Sequence, residues 1–279
     1  VVDEFAADLP GQFVNAGVSE QAMMSMAAGL SASGYQVFVY SIANFPTLRC
    51  LEQIRNDVAY NNLDVTIVSV GAGLAYGNLG YTHHAVEDIS IMRAIPNMRV
   101  ICPSDPVEAI ASVQACVINP GPKYVRLGKN GEPRLHDEAK VMDVGEPLLV
   151  REGSDLVIAA TGAIVGECLQ AAHDLAEEGV SPQVWSVPTI KPFPQAWLAR
   201  LDGALPILTV EEHVREGGFG SAVLEAVHDG GLVRRVHRLS LSSAVSTQLG
   251  GAAYLRQLLG VSGSAIRDAA RRLRTFGGC

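Results

Sequence analysis

Short apolar, β-branched runs alternate with helical stretches in two separate series, and that alternation leaves few folds open to this chain. Strands are predicted over 36–42, 65–70, 98–102 and 123–127, and again over 155–161, 183–187, 206–211 and 233–239. Helices are predicted between them over 20–33, 46–61, 84–93 and 106–117, then over 164–178, 195–201 and 221–228, with two closing helices. Strand runs that are apolar throughout belong to sheets covered on both faces, and helical crossovers join parallel strands. The expected fold class is α/β, with two domains, each a mostly parallel sheet with helices on both faces. The domains span 1–130 and 151–279. Periodicity stops over 131–150, where Lys, Asn, Gly, Glu, Pro, Asp and His dominate, so that stretch is the expected linker.

The length of 279 residues suits two cores, and 48% apolar with 18% charged residues describes a globular chain. With no charge-free apolar run of membrane length and no signal peptide, a cytoplasmic protein is expected. Five scattered cysteines (Cys50, Cys102, Cys116, Cys168, Cys279) lack ligand spacing and read as free thiols. A net charge of −8 argues against nucleic acid or an anionic membrane as partner. Arg267, Arg271, Arg272 and Arg274 on the last helix read as a solvated face. The chain opens as if already inside a helix, so a preceding portion is expected.

Ligands of open parallel sheets bind beyond the carboxyl ends of the strands. In the first series those ends carry Phe45, the glycine-rich loop 71–80 followed by His83 and His84, Ser104, Asp105 and Arg126. Glu20 opens the predicted helix after Ser19, a candidate N-cap, and faces the same edge among Ala, Met and Gly. Each has an ordinary alternative. Glu20 can merely complement the helix dipole, Phe45 can be a core aromatic, His83 a satisfied loop histidine, and Arg126 a surface ion-pair partner. Together they form a constellation, with no metal triad, nucleophile elbow or Walker loop.

Their order carries a resemblance. Gly17-Val-Ser-Glu20-Gln21, Arg49-Cys-Leu-Glu-Gln53, Thr82-His83-His84-Ala-Val-Glu-Asp88, Pro103-Ser-Asp105 and Tyr124-Val-Arg126 resemble the pyrimidine-binding domain of transketolases. The likeness is greatest to the split forms, and 1-deoxyxylulose-5-phosphate synthase is similar. Thr189-Ile-Lys-Pro192, Val210-Glu-Glu-His213 and Gly217-Gly-Phe-Gly220 resemble the transketolase C-terminal domain.

The resemblance implies thiamine diphosphate as cofactor. Glu20 then bonds N1′ of the aminopyrimidine and favours the imino tautomer that deprotonates the thiazolium; for this its proton affinity is expected to be raised. Phe45 matches the aromatic that stacks on the pyrimidine, though a one-residue gap between Ile42 and Arg49 leaves that position open by one. Arg49 and Gln53 fall on the cofactor side. His83 matches a histidine bonding the reacting oxygen, with His84 beside it, and Arg126 matches an arginine on the acceptor's phosphate. Where family members carry Asp four residues before the first histidine, in contact with a donor hydroxyl, this chain has Leu79.

Transketolases hold the diphosphate and Mg²⁺ through a Gly-Asp-Gly…Asn segment, and no such segment occurs here. The resemblance therefore implies a partner subunit that carries the diphosphate-binding domain and the metal ligands, in a two-plus-two heterotetramer acting on a sugar or sugar phosphate. The expected activity is transfer of a two-carbon ketol unit, specialised in donor or acceptor. Alternatives are the β subunit of a 2-oxo acid dehydrogenase, an acyloin-forming synthase, and a non-catalytic partner.

Overall fold

The computed structural model describes residues 2–137, 144–243 and 247–275. Cys279 and part of the expected linker lie outside them. A short helix, α1 (Asp3–Asp8), and a tight turn lead to α2 (Glu20–Ala32), an Ala- and Met-rich helix that stops where Gly34 takes φ +96°. β1 (Val37–Ile42) follows. In place of one helix over 46–61 there are α3 (Asn44–Thr47), α4 (Leu51–Gln53) and a π-helical turn, Ile54–Ala59. The break falls at Cys50, whose backbone leaves helical geometry (φ −105°, ψ 14°) and whose buried thiol donates to the Phe45 carbonyl.

β2 (Val65–Val70), α5 (Asp88–Ala94), β3 (Arg99–Ile101), α6 (Pro106–Ile118) and β4 (Lys123–Leu127) complete the first series. α5 starts four residues later than predicted, because the backbone of Ala85 exchanges hydrogen bonds with Gly73 in both directions (3.0 and 3.1 Å) and cannot be helical. The second series is β5 (Leu148–Arg151), β6 (Leu156–Ala160), α7 (Ile164–Glu177), β7 (Pro182–Ser186), β8 (Thr189–Lys191), α8 (Gln195–Arg200), β9 (Ile207–Val214), α9 (Phe219–Asp229), β10 (Val236–Leu241), α10 (Ala252–Leu259) and α11 (Gly263–Thr275).

The strands form two five-stranded sheets, in the orders β1-β2-β4-β3-β8 and β10-β9-β6-β7-β5. All pairings are parallel except β3 with β8 and β5 with β7. β5 and β8 are absent from the sequence reading, and β5 begins inside the stretch expected to be linker. β8 ties the halves together, since it comes from the second series yet closes the first sheet (Ile101 opposite Thr189). β1, expected to be buried on both faces, is an edge strand that leaves Phe38 and Tyr40 exposed.

One apolar cluster runs through both halves, from Met24, Ile54, Met92 and Val100 to Trp197, Leu198 and Phe219. The described cysteines, Cys50, Cys102, Cys116 and Cys168, are buried free thiols. The arginines of α11 do lie on a solvated face, pairing with acids such as Asp174 and Glu178. Among the described residues no helix is long and apolar enough to cross a membrane.

The motif at 210–220 holds the halves in register. Glu211 on β9 is fully buried and caps α9, accepting hydrogen bonds from the backbone N–H of Phe219 (2.6 Å) and Gly220 (2.8 Å). Burial pushes its carboxyl up to about 7 against these bonds. His213 Nε2 accepts from the Ser90 N–H (3.2 Å) and its Nδ1 bonds the Val214 carbonyl (2.7 Å), which requires the neutral Nδ1–H tautomer. Burial, the leading cause, holds its proton affinity below the ordinary value.

Candidate active site

Glu20 owes its position to a turn over residues 15–19. Asn15 Oδ1 accepts from the Gly17 N–H (2.9 Å), Gly17 takes φ +69°, and Ser19 Oγ donates to the Ala16 carbonyl (2.6 Å). A side chain at Gly17 would be strained. Ser19 occupies the N-cap position but does not cap α2 through its hydroxyl, which is spent on the turn. The Glu20 carboxylate lies at the first residue of α2, with its side chain 12% exposed and Oε2 2.8 Å from Arg49 NH1. A hydrogen bond from its own backbone N–H, opposed by partial burial and reinforced by Arg49, holds its carboxyl below the usual range. The raised proton affinity expected from the sequence is therefore not found in this chain by itself.

Phe45 enters from α3, directly after β1. The Ala43 carbonyl that precedes it accepts from Thr47 Oγ1 (2.7 Å) and Ser69 Oγ (3.2 Å), so the start of α3 is pinned to its own first turn and to β2. Its ring carries the Arg49 guanidinium at 4.7 Å and meets the His83 ring edge-on, with centroids 5.4 Å apart. Asn44 Nδ2 donates to the Thr82 carbonyl (3.3 Å) and the His84 carbonyl, stapling α3 to the histidine loop. Sequence reasoning missed Asn44, which carries no charge or ring to flag it. Glu20, Arg49, Phe45 and His83 thus make one continuous set of contacts drawn from the start of α2, the α3 segment and the turn before His84. Gln53, at the end of α4, has a buried Oε1 without a hydrogen-bond partner.

Two expected substrate contacts lie elsewhere. Arg126 points inward from β4 and is 2% exposed; its Nε is 2.7 Å from Asp88 Oδ2, and its NH2 donates to the carbonyls of Ala85 (2.7 Å) and Glu212 (3.0 Å). Burial opposes its charge, but Asp88, with Cys102 and Tyr124, more than offsets that and holds it more firmly protonated than usual. It is an internal tie, closed to a phosphate. His84 is also buried, edge-on to Tyr81 and lining a small cavity with Leu74, Val86 and Leu259, and burial lowers its proton affinity.

The exposed cation at the end of β4 is Lys129, which sits 5.6 Å from the centroid of Tyr76. It was hidden in sequence because it abuts the expected linker. Gly71, at the end of β2, lets that tyrosine close down: φ is +102°, and a Cβ there would stand 2.2 Å from the ring. Leu79 is 53% exposed on the turn before His83.

A cavity of about 450 Å³ opens between α6, the ends of β2 and β4, and Ala163 of the second half, but Glu20, Phe45 and His83 do not line it. Their cluster is partly covered, in a region of sequence whose Val14, Val18 (95% exposed) and Leu48 are uncovered.

Residues 1–132 match the family model described as transketolase, pyrimidine binding domain, and residues 145–266 match transketolase, C-terminal domain. The chain belongs to the transketolase family. A putative transketolase C-terminal section from Methanocaldococcus jannaschii is 38% identical over 264 residues, covering 94% of this chain and 83% of that one. One of the subunits of an apulose-4-phosphate transketolase from Phocaeicola vulgatus is 38% identical over 228 residues, covering 81% and 73%. Among solved structures, a split-gene transketolase described as an inactive beta4 tetramer superposes with a TM-score of 0.87 at 33% identity, covering 98% of this chain and 87% of that one. The chain corresponds to the small subunit of a split transketolase-like enzyme, in a family of thiamine diphosphate-dependent transferases.

Proposed function

We propose that this chain contributes the aminopyrimidine half of a thiamine diphosphate site and that a second polypeptide contributes the diphosphate half, with its Mg²⁺. The observation that carries this reading is the contact set of Glu20, Arg49, Phe45 and His83, outside the cavity and flanked in sequence by uncovered Val18 and Leu48. Uncovered apolar groups around a carboxylate favour completion by another surface. The relatives described as a C-terminal section, or as one subunit of a transketolase, support the same division, and a two-plus-two heterotetramer satisfies it. A cytoplasmic location is in keeping with the free thiols.

The residues suit the cofactor's pyrimidine end: a carboxylate for a ring nitrogen, an aromatic face to stack on, and the unpartnered Gln53 Oε1 for a further donor. When bound, thiamine diphosphate supplies the carbon nucleophile that takes up a ketol unit. Glu20 holds the proton at the ring nitrogen, and water exclusion around the carboxylate by the partner's surface raises its proton affinity from the low value of the open site. Phe45 orients the ring by its face. His83, fixed against Phe45 and by its Nδ1 contact with Thr82 Oγ1 (3.0 Å), exchanges a proton with the substrate's reacting oxygen.

With Arg126 enclosed, Arg49 and Lys129 are exposed cations of this half that can meet an anionic substrate. Leu79 marks the donor side as altered. Its exposure means that aspartate fits there without repacking, and a charged hydrogen bond to a donor hydroxyl contributes about 1.5–3 kcal/mol. In the two-subunit complex, Leu79→Asp is expected to raise the rate with xylulose 5-phosphate roughly ten- to a hundredfold by that margin. Equal rates for the two proteins would argue against an altered donor site, and dependence on a lipoyl carrier would replace ketol transfer with a 2-oxo acid dehydrogenase reading.

A further inference from the structure

We infer that Arg49 is a stand-in for the aminopyrimidine, occupying its place in the unfilled site and leaving when the cofactor arrives. The inference rests on the assignment of Glu20 and Phe45 made above. A ring bound there needs a flat face against Phe45 and a polar edge against the Glu20 carboxylate. The Arg49 guanidinium makes both contacts at once, lying 4.7 Å from the Phe45 centroid with NH1 2.8 Å from Glu20 Oε2. Guanidinium is planar, weakly hydrated and rich in N–H donors, which lets one side chain reproduce a stacked, hydrogen-bonded heterocycle.

Its surroundings suit a group that moves. The backbone of Arg49 is anchored, its carbonyl accepting from Gln21 Nε2 (3.1 Å), while its side chain is 47% exposed and has open solvent beside it. Both of its contacts are of the weak, exposed kind. Glu20, by contrast, is tucked beneath the guanidinium, so the stand-in keeps a largely covered carboxylate paired until a ring replaces it. The consequence is competition: each cofactor molecule must displace Arg49, and its measured affinity is lowered by the strength of that displaced contact.

The test is calorimetric titration of thiamine diphosphate, at saturating Mg²⁺, into the complex of this chain with a diphosphate-binding subunit. Arg49→Met keeps an unbranched stem over Phe45 and removes the plane and the charge. It is expected to tighten binding roughly three- to thirtyfold, the combined strength of an exposed ion pair and a cation–π contact. Arg49→Lys, which keeps the charge without the plane, should fall between the two. Cofactor binding that is unchanged or weakened in Arg49→Met overturns the inference. A wild-type complex that takes up no cofactor instead overturns the half-site reading, and this inference with it.

Discussion

Glu20→Ala is expected to lower turnover of the two-subunit complex by about 10²–10⁴-fold, the range of a positioned proton-transfer group, while the purified chain keeps its thermal stability. Both halves of the expectation come from geometry. Glu20 is the carboxylate paired with the Arg49 guanidinium that lies over Phe45, so its removal leaves no group to hold the ring-nitrogen proton. Structurally it makes one ion pair, to an arginine that is 47% exposed, and such pairs contribute about 0–1 kcal/mol. Steady-state rates and a melting curve on the same preparation check the two halves together. A variant that keeps its activity would remove Glu20 from the mechanism.

Arg126→Met is expected to do the reverse, with a large effect on folding and none that is selective for phosphate. The guanidinium is enclosed with Asp88 (1% exposed side chain), and it is the cross-tie from β4 to the carbonyls of Ala85 and Glu212. Removing one member of a buried pair leaves an uncompensated carboxylate and costs about 3–5 kcal/mol. Asp88 would retain the Tyr124 hydroxyl as donor (2.6 Å), which softens the loss without neutralising the charge. Denaturant unfolding of the isolated chain measures it, and combining Arg126→Met with Asp88→Asn should recover part of the loss. An Arg126→Met chain of wild-type stability whose complex shows only a raised KM for phosphorylated substrates would return Arg126 to the substrate side.

The contrast between these two residues marks how far the sequence was legible. Parallel strands such as β2 and β6 announce themselves because burial on both faces forces nearly continuous runs of apolar and β-branched residues. β5 and β8, at four and three residues, are too short to show any period, and both pair antiparallel at sheet edges. A strand arginine looks the same in sequence whether it points to solvent or to a buried acid, and the acid that claims Arg126 lies 38 residues earlier. His83 and His84 are adjacent in the chain, yet a 3-10 turn ending between them sends one ring to Phe45 and the other into the interior. Glu20 was findable because a helix-initial carboxylate in an Ala-rich stretch is chemically conspicuous. Its low proton affinity was not, since that follows first from how the side chain folds back on its own backbone N–H, and then from Arg49, 29 residues away.

Calorimetric titration of thiamine diphosphate with Mg²⁺ into this chain alone, and then into the chain mixed with a diphosphate-binding subunit, tests the shared-site claim most directly. Saturable binding is expected only in the mixture, at one cofactor per pair of unlike chains. Tight stoichiometric uptake by this chain alone would contradict it.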